Sequence, residues 1–592
     1  MFLRYTRRKK DGKEHRYWSI VENRRCGGGK VVQRAVLYLG EINDSQREAW
    51  CRVIEGFDEE AGQPRQMALF AWDRPIPAHA VDYWIGVRLR DFTLHRPRQW
   101  GACWLTCELY EQLGLGEFWA QRLPDSREGP RWRHIFQTLV CYRLIAPGSE
   151  WKLHRQWFER SDMGELLGED FSLVEKNALY RAHDLLLEHK RALFGHLSER
   201  WKDLFGVKFE VLLYDLTSTY FESDPPEGPD CKRRFGYSRD KRPDCVQVVI
   251  ALIVTQEGFP LAYEVLPGNT SDKTTLRAFL KKIEGQYGKA ERIWVIDRGI
   301  PTEEVLEEMR RSDPPVYYLV GTPKGRLKKY EAALLEQSWK KVREGVDVKL
   351  HAEDGELYVF AQSHDRVAKE RAMRRRQMRG LLQRLKQLQG MKLSAKDLLL
   401  KLGEDRQRYR PAWRLFDFDL PQTLGAPASF GFRLNWTKLR AARRREGRYL
   451  LRTNLCARDP AQLWSFYIQL TEIEAALKTI KDDLNLRPIY HQREDRIEAH
   501  IFIAFLAYCL HVTLRARLRA HAPGLTSRAV LDKFAAIQMI DAHFPTTDGR
   551  TLILSRYTQP GKDQKILLEK LGLELPAQPP PRITSNGSLL NQ

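Results

Sequence analysis

Asp215 ends the apolar run Val211-Leu212-Leu213-Tyr214, and Asp297 ends a second run, Ile293-Trp294-Val295-Ile296. In an α/β sheet the carboxyl ends of the strands form the edge where ligands collect, so two acids delivered this way can meet. A third acid, Glu474, lies in FYIQLTEIEAALKTIK, with Tyr467 seven residues before it and Lys481 seven after. Seven helical steps return to within about 20° of the starting direction, so the three share one stripe, with Lys478 close by. Three converging carboxylates repel one another, and divalent cations relieve that repulsion. All-oxygen ligands suit magnesium, with manganese as a substitute. Two such ions about 3.5–4 Å apart activate the attacking oxygen and stabilise the leaving oxygen of a phosphodiester. Singly, each acid has a plainer reading: an aspartate after a strand is commonly a turn or cap residue, and a Tyr/Glu/Lys stripe commonly faces solvent. The joint arrangement carries the weight.

The rest of the composition agrees with a polyanionic partner. The 592 residues include 98 basic and 77 acidic ones, for a net charge of +21, an excess that favours nucleic acid. Hydrophobic content of 43% and aromatic content of 11% are those of a globular chain, not a disordered one. No N-terminal stretch reads as a secretory signal, and no apolar run approaches the roughly 18 residues of a membrane span. The richest, IFIAFLAYCL (501–510), reads as a buried helix. We therefore expect no membrane partner and a cytoplasmic, nucleoid-associated protein. The nine cysteines form no repeated C-x-x-C pair, which fits a reducing compartment. Cys103 and Cys107, one helical turn apart, read as core residues rather than zinc ligands.

The elements that must position the acids follow in order. Residues 1–75 read as a small β-rich basic unit, with a hairpin of YWSIVENRR and VVQRAVLYLGEI around CGGGK, lined by Arg7, Arg8, Lys9, Lys10, Arg24 and Arg25; Pro75 and Pro77 mark a linker. Residues 76–205 turn helical. From 206 to 320 the pattern is three strands, helix, strand, helix, strand, a mixed α/β sheet. Residues 321–447 read as a basic insertion containing the strand-like pair DVKLHAEDGELYVFAQ. Residues 448–545 resume the core with a long helix at roughly 460–485, and 546–592 read as a partly disordered tail.

Taken together, YDLTSTYFE, PLAYEVLPGNTSDKTTL, WVIDRGIP and LNLRPIYHQREDRIEAHIFIAFLA resemble, in order, blocks of the DDE transposases of bacterial insertion sequences. The resemblance is to the group whose third-acid helix carries Tyr, two residues, Arg, three residues, Glu, six residues, Lys. It covers most of 206–515. It implies an α/β fold with a ribonuclease H-like mixed sheet, interrupted by an insertion and preceded by the β-rich unit and a helical DNA-binding region. It also implies that Asp215, Asp297 and Glu474 hold two magnesium ions, and that Tyr467 and Lys481 contact DNA near the cleaved phosphate. The arginine position of that signature is Leu470 here, so the contact is lost or passes to Lys478 or Arg298.

The implied reaction is cut and paste: hydrolysis at the transposon end frees a 3′ hydroxyl, which attacks target DNA in line. Expected partners are double-stranded DNA, as terminal inverted repeats and target, and a second copy of the chain in a synaptic dimer. Arg374, Arg375, Arg376, Arg379 and Arg384, with Arg443, Arg444 and Arg445, are candidates for gripping phosphates. RWRHIFQTLVCYRL is a candidate to lie along the DNA backbone. Trp413 and Trp436 read as core residues, with base stacking as the alternative, and His491 and His500 read as structural. Two rivals stand beside this reading: a ribonuclease H-like endonuclease that cuts without joining, and a silent DNA-binding regulator.

Overall fold

A strand with apolar side chains on both faces belongs in the middle of a covered sheet. Val246–Thr255, VQVVIALIVT, is such a strand, buried at every residue. In the computed structural model it lies near one edge of a nine-stranded sheet. The structure describes residues 2–10, 13–25, 31–42, 47, 57–58, 63–64, 87–123, 130–225, 228, 231–287, 292–297, 301–322, 338–391, 393–420, 430–456, 459–546 and 549–584. From that edge the sheet order is Pro260–Pro267, Val246–Thr255, Val211–Phe221, Ile293–Ile296, Tyr317–Thr322, Arg448–Thr453, Glu356–Ser363, Val346–Glu353 and Lys340–Arg343. In chain order the first five strands of this sheet stand 3-2-1-4-5, with only the second antiparallel to the others. This is the expected ribonuclease H-like arrangement.

Helices follow their local chemistry. Glu303–Arg311 has Thr302 as N-cap, accepting from the Val305 amide at 3.3 Å; acids open the helix and arginines close it, matching its dipole. The long helix Glu494–His521 is buried on nearly all sides. By length and composition it could cross a membrane, longer than the apolar run first noted, yet most of it is buried inside the protein as the central helix of the core.

Several expectations are revised. The N-terminal unit gains a strand, Phe2–Lys10, beside the pair Lys13–Arg25 and Val31–Gly40. The side chains of Arg8, Lys9, Lys10, Arg24 and Arg25 and the linker at Pro75 and Pro77 lie outside the described residues. The region 76–205 contains the strand Thr93–Gln99, which pairs with Gln538–Pro545 from near the C-terminus. Buried Arg98 ties the two, at 2.7 Å from Asp541 and 2.5 Å from Asp162. The helices that follow pack on Glu494–His521 and share its core. Trp132–Ile145, the candidate for the DNA backbone, is buried from Ile135 to Ile145; its apolar residues cover all faces, so it cannot lie along a surface. The strand pair assigned to the insertion extends the central sheet instead, because Glu356 accepts from Arg452 at 2.5 Å and Arg310 at 2.6 Å. The rest of the insertion has its own small core around Leu381, Leu385, Leu398 and Phe416. The tail folds as far as Thr584, with strands Thr551–Tyr557 and Arg582–Thr584 and helix Lys562–Leu571. Its proline-rich stretch is ordered by side chains that satisfy the backbone: Tyr557 donates to the Pro576 carbonyl at 2.6 Å and Arg556 to the Pro579 carbonyl at 2.5 Å.

Candidate active site

Parallel pairing sets the first two acids side by side. Ile293 is level with Val211 and Ile296 with Tyr214, so Asp297, the next residue, comes level with Asp215. The predicted third-acid helix is broken into Pro460–Ile468, Leu470–Lys478 and a wide turn, Thr479–Asp483. Its middle part packs against the Asp215 strand. Residues two apart on a strand share a face, so Thr217 points the same way as Asp215. The Lys481 ammonium bonds Thr217 Oγ1 at 3.1 Å and pairs with Asp240. That contact fixes the register of the Glu474 helix over the Asp215 strand.

The three acids feel one another. Burial, then the charges of Asp297 and Glu474, pushes the Asp215 carboxyl up to about 7, against the Leu216 amide and the Arg239 guanidinium. Glu474 keeps solvent access; partial loss of hydration and the charge of Asp297 push it up, and Arg366 opposes. Like charges this close cannot all ionise cheaply without a cation.

The other candidates divide. Tyr467 is partly buried beside Tyr449 and Trp464, and Lys478 is exposed. Lys481, expected on an open DNA-facing stripe, is buried and engaged by Asp240 and Thr217, because the wide turn carries it down to the sheet. Arg298 lies outside the described residues. Arg375, Arg379, Arg443 and Arg444 are exposed. Arg374 turns inward to Glu446, and Arg384 bonds Asp405 at 3.2 Å. Glu446, which directly follows Arg443, Arg444 and Arg445, also pairs with Arg371, which brings the two basic clusters together; burial and the charges of Arg443, Arg371 and Arg375 push Arg374 down. Trp413 stacks on Phe418 with centroids 3.8 Å apart, as a core residue. Trp436 is 61% exposed, contrary to the core reading, because it opens the helix Trp436–Arg444 on the solvent side.

Two residues were missed. The Arg239 charge acts on Asp215, and its amide donates to Ser218 Oγ at 3.3 Å. Arg366 opens the helix His364–Gln389, where its amide meets the Ser363 cap, and its charge reaches both Glu474 and Tyr467. Leu470, at the vacant arginine position, is buried. Arg366 sits in the basic stretch DRVAKERAMRRR, but nothing local distinguishes it from its neighbours.

The chain matches the transposase DDE domain family over residues 208–510 and the N-terminal domain of the IS1634 family transposases over residues 3–66. Among solved structures it is similar to the piggyBac transposase synaptic complex with hairpin DNA, at 9% identity and a TM-score of 0.33, over 76% of this chain and 82% of that one. It is also similar to the Mos1 transposase paired-end complex with left transposon end, at 14% identity and a TM-score of 0.11, over 43% of this chain and 71% of that one. No curated protein matches the chain. The DDE-domain match alone spans just over half of the chain, which therefore belongs to the insertion-sequence transposases with a DDE domain.

Proposed function

We propose that this transposase cleaves DNA at transposon ends and transfers the freed strand into target DNA, with Asp215, Asp297 and Glu474 as its catalytic carboxylates. The observation that carries this is the meeting of Asp215 and Asp297 on adjacent parallel strands beneath the Glu474 helix, with Asp215 pushed up to about 7. An all-carboxylate donor set under mutual repulsion fits magnesium or manganese. Bound there, two such ions would supply charge neutralisation at both the attacking and the leaving oxygen of the phosphodiester. The chain's own side chains do the rest. Lys481, locked to Thr217 and Asp240, holds the Glu474 helix in register. Arg366, which also pairs with Glu370 at 3.1 Å, and Arg239 add positive charge near the acids and would meet phosphate oxygens. Arg366 takes the part of the arginine that Leu470 replaces. Exposed Arg375, Arg379, Arg443 and Arg444 offer a phosphate-gripping surface for double-stranded DNA. Action in pairs, as a synaptic dimer, follows from the need to hold two transposon ends at once.

The test is Asp215→Ala in the full chain, with a DNA end, target DNA and magnesium. Nicking and strand transfer should both vanish while DNA binding stays within about threefold, since the exposed arginines do not depend on the acids. Undiminished nicking by the variant would remove Asp215 from the mechanism. Nicking without transfer by the unaltered chain would leave an endonuclease.

A further inference from the structure

Four side chains with no part in the proposed chemistry converge beneath the core. Glu150 opens the short helix Glu150–Lys152, His183 lies on Lys176–Leu186, His491 precedes the central helix and His500 lies on it. One ligand atom from each falls within 4.8 Å of all the others. Glu150 Oε1 is 3.3 Å from His183 Nε2, 3.5 Å from His491 Nε2 and 3.6 Å from His500 Nδ1. Tetrahedral zinc, with bonds of about 2.0–2.1 Å, places its ligand atoms about 3.3 Å apart.

A second observation points to a cation. His183 is 0% exposed, and Glu150 and His500 are 5% exposed. His183 Nδ1 donates to the Leu179 carbonyl at 3.0 Å, which leaves Nε2 facing Glu150 Oε1 at 3.3 Å. Neither of these two buried atoms has a hydrogen-bond partner among the described residues. Polar atoms buried in this way cost free energy unless paired, and a cation held between them would satisfy both. Arg143, 3.9 Å from Glu150 Oε1, donates to His500 Nδ1 at 3.4 Å, a bond that an ion bound there would replace. A cavity of about 440 Å³ lined by Arg143, Glu150, Tyr180, His491 and His500 gives an ion room to enter.

We propose that Glu150, His183, His491 and His500 form a structural zinc site that fastens the helices before the catalytic domain to the segment that follows the Glu474 helix. Four protein ligands leave no open position for substrate, the mark of a structural rather than a catalytic zinc. His491 belongs to the stretch Asn485–Arg493, which also carries Arg487, the second partner of Asp240 beside Lys481. The ion therefore braces the same contacts that register the Glu474 helix.

The test is elemental analysis and cobalt substitution of the full chain. About one zinc per chain is expected after purification without added metal. The stripped chain should take up one cobalt with the visible bands of a tetrahedral site that has histidine ligands. Asp215→Asn should keep that ion, which separates it from the catalytic carboxylates, and His491→Ala should lose it. Zinc loading should also raise the thermal midpoint of the stripped chain. If His491→Ala fails to fold, the cobalt spectrum of the unaltered chain still decides. No zinc as purified and no tetrahedral cobalt bands on titration would overturn the site and leave a carboxylate neutralised by Arg143 and an imidazolium.

Discussion

Asp215 shows at a single residue how the proposed function works against stability. Its carboxyl is pushed up to about 7 by burial first and by Asp297 and Glu474 next, whereas an unfolded chain ionises it near the ordinary value of 3.8. Between these values the folded chain holds a proton that the unfolded chain has released. Raising the pH through that window therefore destabilises the fold, and above about 7 the whole penalty is present. About three pKa units correspond to a few kcal/mol at most, on the order of 1.4 per unit. Without magnesium, Asp215→Asn should raise the melting midpoint at pH 8, with a much smaller effect at pH 4, where the folded residue is protonated and the unfolded one is only partly ionised. Added magnesium should stabilise the unaltered chain at pH 8 and have a smaller effect on the variant. Equal midpoints for the two chains at pH 8 without magnesium would show that the carboxylates do not repel as their placement implies.

At the scale of elements, the role proposed for Arg366 would make the first helix of the insertion part of the site. The helix His364–Gln389 packs its C-terminal half through Leu381, Leu385 and Leu388 into the insertion's small core. Its N-terminal end holds Arg366, paired with Glu370 at 3.1 Å, near enough to Glu474 and Tyr467 for its charge to act on both. The strand Glu356–Ser363 runs straight into that end, and its pairing with Arg448–Thr453 anchors it to the catalytic sheet. Arg366 is thus held by the sheet, not by the outer half of the insertion. Arg366→Ala should cut the rate of strand cleavage by about 10²–10³, the usual effect of losing one fixed charge on a transition-state oxyanion, while DNA affinity changes by less than about tenfold. Arg366→Lys should recover part of the rate, because a point charge replaces a planar fork. Equal losses in affinity and cleavage would make Arg366 a general phosphate contact, with no particular tie to the reacting centre.

At the scale of the molecule, legibility follows the range of the interaction. The acid-bearing strands and the helices between them were readable, because a strand's apolar run and a helix's cap are written within a few residues. The pairing of Thr93–Gln99 with Gln538–Pro545 was not, because it joins opposite ends of the chain and its bond, Arg98 to Asp541, crosses 443 residues. Arg366 and the Glu150–His183–His491–His500 cluster were hidden for the same reason: the groups that give them meaning are far away in sequence. The tail misled because proline and polar residues read as disorder when their partners, Tyr557 and Arg556, cannot be guessed. The last part of the chain is therefore expected to be required for folding. Helix Lys562–Leu571 buries Ile566, Leu567, Leu568 and Leu571 in the same core that holds the central helix. Four such side chains contribute on the order of 6–12 kcal/mol, comparable to the whole stability of a typical domain. A chain ending at Pro545 would also leave Gln538–Pro545 unpaired on one side and strip Asp541 of its bond from Ser555 at 2.7 Å. Such a chain should be insoluble or lack a cooperative melt, and Leu567→Ala in the full chain should lower stability by about 2–5 kcal/mol. A soluble chain ending at Pro545 with an unchanged melting midpoint would make the C-terminal sheet and helix an appendage, and Trp100, stacked on Tyr557 with centroids 4.3 Å apart, would then have to find another cover.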